Sequence, residues 1–163
     1  MDPIVISYRI DEADRLIAVG GGWDQFASEN DGAGAQPEAV LGRSLWDFVT
    51  GPTLRELYRR LMKEVRSGRP VRFRCRCDAP AQRRVFLISI DPLPSGQVEY
   101  TTLLTAIERR EAVTWLDAQQ PRSSDLVCVC SWCGRVRLPE GSWVAIEEAM
   151  ERCDVADVRD RII

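Results

Sequence analysis

Histidine is missing from all 163 positions of the chain. Its loss removes the commonest general acid–base group, the usual partner of a serine or cysteine nucleophile, and every mixed cysteine/histidine metal site. Long apolar stretches are missing too: none approaches the ~20 residues an α-helix needs to span a bilayer. The opening MDPIVISYRI has neither the basic start nor the small-residue cleavage site of an export signal. The expectation is therefore a cytoplasmic protein with no membrane contact. Basic charge is in slight deficit, 22 Lys and Arg against 25 Asp and Glu for a formal net charge of -3. That balance offers no general attraction to nucleic acid, and none is expected as a partner.

What is present is ordinary globular material. Hydrophobic residues make up 45% and charged residues 29% of the chain, unlike the depleted, charge-rich mix of a disordered segment. A chain of this length buries one good core and carries an appended element. Six cysteines stand at 75, 77, 128, 130, 133 and 153. Without an export signal they read as packed thiols or metal ligands rather than disulfides.

Periodicity supplies the elements. Ile4, Ile6, Tyr8 and Ile10 alternate with the residues between them, and Leu16 to Val19 follows a polar stretch, which is the pattern of a β-hairpin. Trp23 to Asn30 is a short helical candidate, and small helices fit the pieces at Val40–Leu41 and Leu45–Val49. From Thr53 to Ser67 the positions Leu54, Leu57, Tyr58, Leu61, Met62 and Val65 recur at helical spacing. Thr53 and Glu56 have capping-box form at its start, and Gly68 with Pro70 marks its end. Three strands follow, Val71 to Cys77, Arg84 to Ile90 and Gly96 to Ile107, separated by Pro- and Gly-bearing turns too short for parallel crossovers. The order predicts an α+β fold with an antiparallel sheet covered on one face.

The hairpin YRIDEADRLIAV, the segment WDQFASEN, the piece LGRSLWDFV, the helix TLRELYRRLMKEVRSG and the strands VRFRCRCDAP, RRVFLISIDPL and VEYTTLLTAIERRE together resemble a PAS domain over roughly residues 4–110. The resemblance implies a five-stranded antiparallel sheet with short helices on one face, enclosing a small pocket or a solid core. It also implies a bacterial sensory protein that signals by binding a small apolar ligand, or by acting as a dimerisation or protein-interaction platform. Trp23, Phe26, Trp46, Phe48, Leu57, Leu61, Phe73 and Phe86 are the candidates to line any ligand pocket; the same residues could instead fill a solid core. No flavin is expected, since nothing resembles the GxNCRFLQ-like string of light sensors. Nor is haem, whose usual histidine ligand this chain cannot supply.

Other motifs bear on chemistry. Gly20, Gly21 and Gly22 lie between a strand and a helix, yet Gln25 occupies the position where a dinucleotide fingerprint wants glycine or alanine, so the glycines read as a sharp turn. The arginines at 72, 74, 76, 83 and 84 read as a solvated strand face, and Glu147 and Glu148 as a solvated helix face. No nucleophile–base pair or phosphate loop appears, and no enzyme is expected.

Residues 111–127 are expected to form a helical linker, beginning within a helical candidate at Ile107–Gln119. Beyond it, 128–163 form a cysteine-bearing tail with a last helix from Trp143 to about Val158. Within the tail, Cys130-Ser-Trp-Cys133-Gly134 has the form of a zinc knuckle, in which two thiolates share one ion across a tight turn. Cys128, Cys130 and Cys133 are the candidate ligands, and zinc is the candidate metal. A structural metal, a vestigial knuckle and a redox pair all remain open, because tetrahedral zinc wants four ligands. Cys153, at helical spacing with Ile146, Ala149 and Met150, reads as a packed thiol.

Overall fold

The computed structural model describes residues 5–29, 33–117, 127–130 and 132–152. The chain divides into two compact units, one formed by Met1–Phe73 with Leu87–Leu104 and the other by Arg74–Phe86 with Thr105–Ile163. The elements run β1 (Val5–Ile10), β2 (Leu16–Gly21), α1 (Trp23–Glu29), α2 (Pro37–Val40), α3 (Pro52–Arg66), β3 (Val71–Arg76), β4 (Gln82–Pro92), β5 (Val98–Arg109), β6 (Cys128–Val129), β7 (Val136–Arg137), β8 (Trp143–Val144) and α4 (Ile146–Arg152). The first five strands make an antiparallel sheet in the order β2-β1-β5-β4-β3, as the α+β reading expects.

Register decides which residues of this sheet are core. Tyr8 pairs with Tyr100 and Ile10 with Val98. Side chains alternate across a strand, so Tyr8, Ile10, Ile88, Ile90, Val98 and Tyr100 share one face. On that face they pack with Leu45, Val49, Met62 and Val65, contributed by α3 and the turn before it. Ile10, Ile90, Val65 and Val98 are completely buried, each stabilising by about 1.5–3 kcal/mol. The β1–β2 turn is locked by its own acids. Asp11 Oδ1 accepts the amides of Ala13 and Arg15, both at 2.9 Å. Asp14, held at φ 60°, accepts from Trp46 Nε1 at 2.8 Å and from Arg66 at 2.7 Å. The three glycines end β2 as a turn: Gly21 has φ +66°, and a Cβ there would lie 2.1 Å from the Val5 carbonyl oxygen.

Three expectations change. α3 begins at Pro52 with Gly51 as its cap and no side-chain cap bond. Thr53 is therefore already inside the first turn, and the Thr53/Glu56 capping box does not form. The helix expected from Ile107 does not form either: β5 continues to Arg109, and Thr114–Leu116 is a single 3-10 turn. The amides of Arg110 and Val113 donate to the carbonyls of Ala81 and Pro80 at 3.1 and 3.0 Å, bonds that hold the segment extended. Finally, the last helix starts at Ile146 rather than Trp143, because Trp143–Val144 pairs with β7. Its expected extension to Val158, together with Cys153, lies outside the described residues.

The second unit has its own small core. Val136 and Leu138 meet Ile146 and Ala149 of α4 and Val113, all buried, with Trp115, Val129 and Met150 packed against them. β6, β7 and β8 form an antiparallel three-stranded sheet. Among the described residues no helix is long and apolar enough to cross a membrane.

Candidate functional site

The pocket candidates are distributed rather than assembled. Trp23, Trp46, Leu61 and Phe73 pack against the core of the first unit, while Phe26 and Leu57 are half-buried. Phe48 points outward at 40% exposure, with the Arg43 guanidinium 4.6 Å from its ring centre. Phe86 is buried and belongs to the second unit. At the centre of the first unit Tyr8 and Tyr100 stack with ring centres 4.5 Å apart, and Trp23 meets Tyr8 edge-on at 6.0 Å. The polar tips are used internally: Tyr100 Oη donates to Met62 Sδ at 2.8 Å, and Trp23 Nε1 donates to the Ala35 carbonyl at 2.7 Å. Burial, before any effect of neighbouring tyrosines, pushes the Tyr8 and Tyr100 hydroxyls well above the ordinary phenol range. They stay neutral at any physiological pH.

The opposite face of the same sheet differs in character. Alternation places Val5, Ser7 and Arg9 of β1, Glu99, Thr101 and Leu103 of β5, and Leu87, Ser89 and Asp91 of β4 on it. Val5 is exposed, and Leu87, Ser89 and Leu103 are half-buried. The charged members close on themselves in pairs, Arg9 with Glu99 at 2.8 Å and Arg72 with Asp91 at 2.6 Å. The face is therefore a few aliphatic side chains interleaved with the small hydroxyls of Ser7, Ser89 and Thr101.

The cysteine motif folds as a hairpin turn between β6 and β7. Gly134 N donates to the Cys130 carbonyl at 2.7 Å, and Cys130 N to the Arg135 carbonyl at 2.8 Å. Cys130 is half-buried; Cys128 and Cys133 are exposed. Burial would raise the Cys130 thiol, but the backbone amides of Cys133 and Trp132 and the Cys133 thiol, all hydrogen-bonded to it, bring it below the ordinary value. Gly134 sits at φ +67°, and a Cβ there would lie 2.8 Å from Arg76 Cζ. Arg76 in turn donates to the Cys133 carbonyl at 2.8 Å. Cys75 and Cys77 flank Arg76, so strand alternation turns them to the other face of β3. Among the described residues no three Cys, Asp or Glu side chains converge as a metal-ligand set.

A charged cluster, of which Arg76, Arg83 and Glu147 read from the sequence as solvated, holds this unit together. The Arg110 side chain, 6% exposed, lies 3.3 Å from Asp78 and 2.9 Å from Glu147, and it donates to the carbonyls of Ala79 and Pro80. Arg83 donates to Glu147 at 2.8 Å, and Arg76 pairs with Asp78. Against the upward push of burial, Glu147's own backbone N–H and the guanidiniums of Arg83 and Arg110 bring its carboxyl down to about 2. Glu148 stays outside the cluster and pairs with Arg152 at 3.2 Å. The sequence signal is slight: adjacent acids on a helix, with no hint that one of them faces arginines 37 and 64 positions away. Beside the cluster, Glu111, Ala112, Val113, Glu147, Met150 and Glu151 line an open depression of about 250 Å³.

No protein-family model and no curated protein matches the sequence. Among solved structures, a domain of an HTR-like protein from Haloarcula marismortui is similar at 14% identity and a TM-score of 0.42, with the similarity covering 63% of this chain and 98% of that one.

Proposed function

We propose that the chain is a non-catalytic, PAS-like sensory or signalling module that acts through protein contact at the open face of its five-stranded sheet. The observation that carries this reading is the contrast between the two faces. The inner face is filled by the chain's own side chains: among the aromatic candidates for a ligand pocket, Trp23 meets Tyr8 edge-on and bonds to the Ala35 carbonyl, Trp46 donates to Asp14, and Phe48 points outward. The other face keeps Val5, Leu87 and Leu103 at least partly accessible, with small hydroxyl side chains between them. Apolar positions rimmed by ion pairs suit a protein partner, which buries the apolar centre while charged groups stay at the rim. A second copy of the chain is the simplest such partner. The test is sedimentation in the presence of a metal chelator, comparing wild type with Leu103→Glu. A chelator-resistant dimer that the substitution converts to monomer, with an unchanged far-UV circular dichroism spectrum, is the expected result. A monomeric wild type that carries a co-purified small molecule in native mass spectrometry would transfer the function to ligand sensing.

A further inference from the structure

We propose that Cys130 and Cys133 are a reversible dithiol–disulfide pair, a modification site that is oxidised by small-molecule disulfides of the glutathione class and regenerated by the corresponding thiol. The backbone brings the two residues together before any reaction. Gly134 N donates to the Cys130 carbonyl at 2.7 Å, closing a tight turn from i to i+4, and Cys130 N donates to the Arg135 carbonyl at 2.8 Å. A tight turn keeps its ends within roughly 7 Å, the Cα separation beyond which two cysteines cannot be bridged without backbone movement. The Cys133 thiol is already hydrogen-bonded to the Cys130 sulfur across this turn. Arg76 fixes the turn from outside by donating to the Cys133 carbonyl at 2.8 Å.

Exposure divides the roles. Cys133 is exposed and Cys130 half-buried, so the outer sulfur is the one that an incoming disulfide reaches first. The Cys133 sulfur, giving up its proton, attacks one sulfur of the oxidant; the oxidant's S–S bond breaks and one small thiol leaves with that proton. The Cys130 sulfur then attacks the Cys133 sulfur of the mixed disulfide and expels the second small thiol. Two protein thiols have lost two electrons and two protons, and the oxidant has gained both. The other described cysteines are less well placed to resolve the intermediate. Cys128 lies further down the hairpin, paired with Arg137, and Cys75 and Cys77 flank Arg76, which turns them to the other face of β3. A disulfide that closes so short a loop constrains the unfolded chain little, so it adds little stability and stays exchangeable rather than acting as a structural staple. The pair belongs to the second unit and is independent of the sheet-face contact, which lies in the first.

The experiment equilibrates the full chain, with a metal chelator present and oxygen excluded, in glutathione buffers of increasing disulfide-to-thiol ratio. Samples are quenched with acid, alkylated and mapped by peptide mass spectrometry. The expected result is one intramolecular Cys130–Cys133 disulfide per chain, which rises with the ratio and disappears when the ratio is reversed. In Cys130→Ser the reaction should stop at the mixed disulfide, leaving one glutathionyl group on Cys133, whereas Cys128→Ser should behave as wild type. Three results would each overturn the proposal: a wild-type pair still reduced in the most oxidising buffer, a disulfide joining either residue to another cysteine in place of its partner, or a Cys133 that gains no glutathionyl group in Cys130→Ser. Should that variant lose its fold by circular dichroism, the wild-type peptide map decides alone.

Discussion

Replacing Arg110 with alanine tests whether the charged cluster is structural. The side chain is 6% exposed and meets Asp78, 8% exposed, and Glu147. It also satisfies two backbone carbonyls. Removing one partner of a buried charge pair costs about 3–5 kcal/mol, because the other is left buried and uncompensated. Here Asp78 keeps Arg76 and Glu147 keeps Arg83, which places the expected loss near the lower end, about 3 kcal/mol. The amides of Arg110 and Val113, bonded to Ala81 and Pro80, lie in the same segment and report on it directly. Their hydrogen exchange should accelerate roughly 100-fold, since each 1.4 kcal/mol is a factor of ten. With a urea slope of about 2 kcal/mol per M, the unfolding midpoint followed by tryptophan fluorescence should fall by roughly 1.5 M. Arg110→Lys keeps the charge but loses the fork that spans two carboxylates and two carbonyls, so it should fall between wild type and Arg110→Ala. Less than about threefold acceleration of the Val113 amide in Arg110→Ala would show that solvent or neighbours satisfy these groups, and the cluster would be decorative.

Glu147 gives a pH signature with a defined sign. Its folded carboxyl is lowered from 4.5 to about 2, so its contribution is present above about pH 4.5 and lost as the pH falls toward 2. The contribution is about 1–2 kcal/mol after discounting for solvent screening of a carboxylate that is 35% exposed. Urea midpoints measured across that window should drop in wild type and stay flatter in Glu147→Gln. Ile90→Ala, at a completely buried position, should cost about 2–5 kcal/mol by chemical denaturation, and a loss below ~1 kcal/mol would mean that the first unit's core is loosely packed. Trp115 Nε1 is buried without a partner among the described residues, so Trp115→Phe should be neutral or stabilising in the same assay. Gly134→Ala should destabilise by about 1 kcal/mol, from backbone strain at positive φ and displacement of Arg76, with the effect reduced when Arg76 is already alanine.

The parts of the fold legible in the sequence are those whose cause is local. β1, β4 and β5 alternate because one face meets α3, and α3 carries its apolar stripe at helical spacing for the same reason, so both periods are written into consecutive residues. What misled was local chemistry overridden by a neighbour. Thr53 and Glu56 have the spacing of a capping box, but Pro52, with its φ fixed and its N–H already missing, is a better first residue, and the helix starts one position early. The stretch after Ile107 has residues that any helix accepts. Its backbone amides instead find the carbonyls of Pro80 and Ala81, about 30 positions away in the sequence, and no window of neighbouring residues contains that information.

The same distinction separates the two candidate sites. The Cys130–Cys133 turn is local, and spacing alone places two sulfurs and a glycine in a hairpin. The arginine cluster is the opposite case. Arg76, Arg83 and Arg110 acquire their roles only when α4 brings Glu147 to them and the turn after β3 brings Asp78. Arg76 joins the two kinds of site, since one guanidinium holds Asp78 and the Cys133 carbonyl. The knuckle therefore rests on a charged frame, and its geometry depends on a residue 57 positions upstream that the motif does not include. A two-cysteine motif supported in this way can hold its turn without a metal, because the hydrogen bonds of Arg76, Gly134 and Cys130 fix the backbone on their own. That makes the number of ligands, rather than the integrity of the turn, the quantity on which metal binding depends.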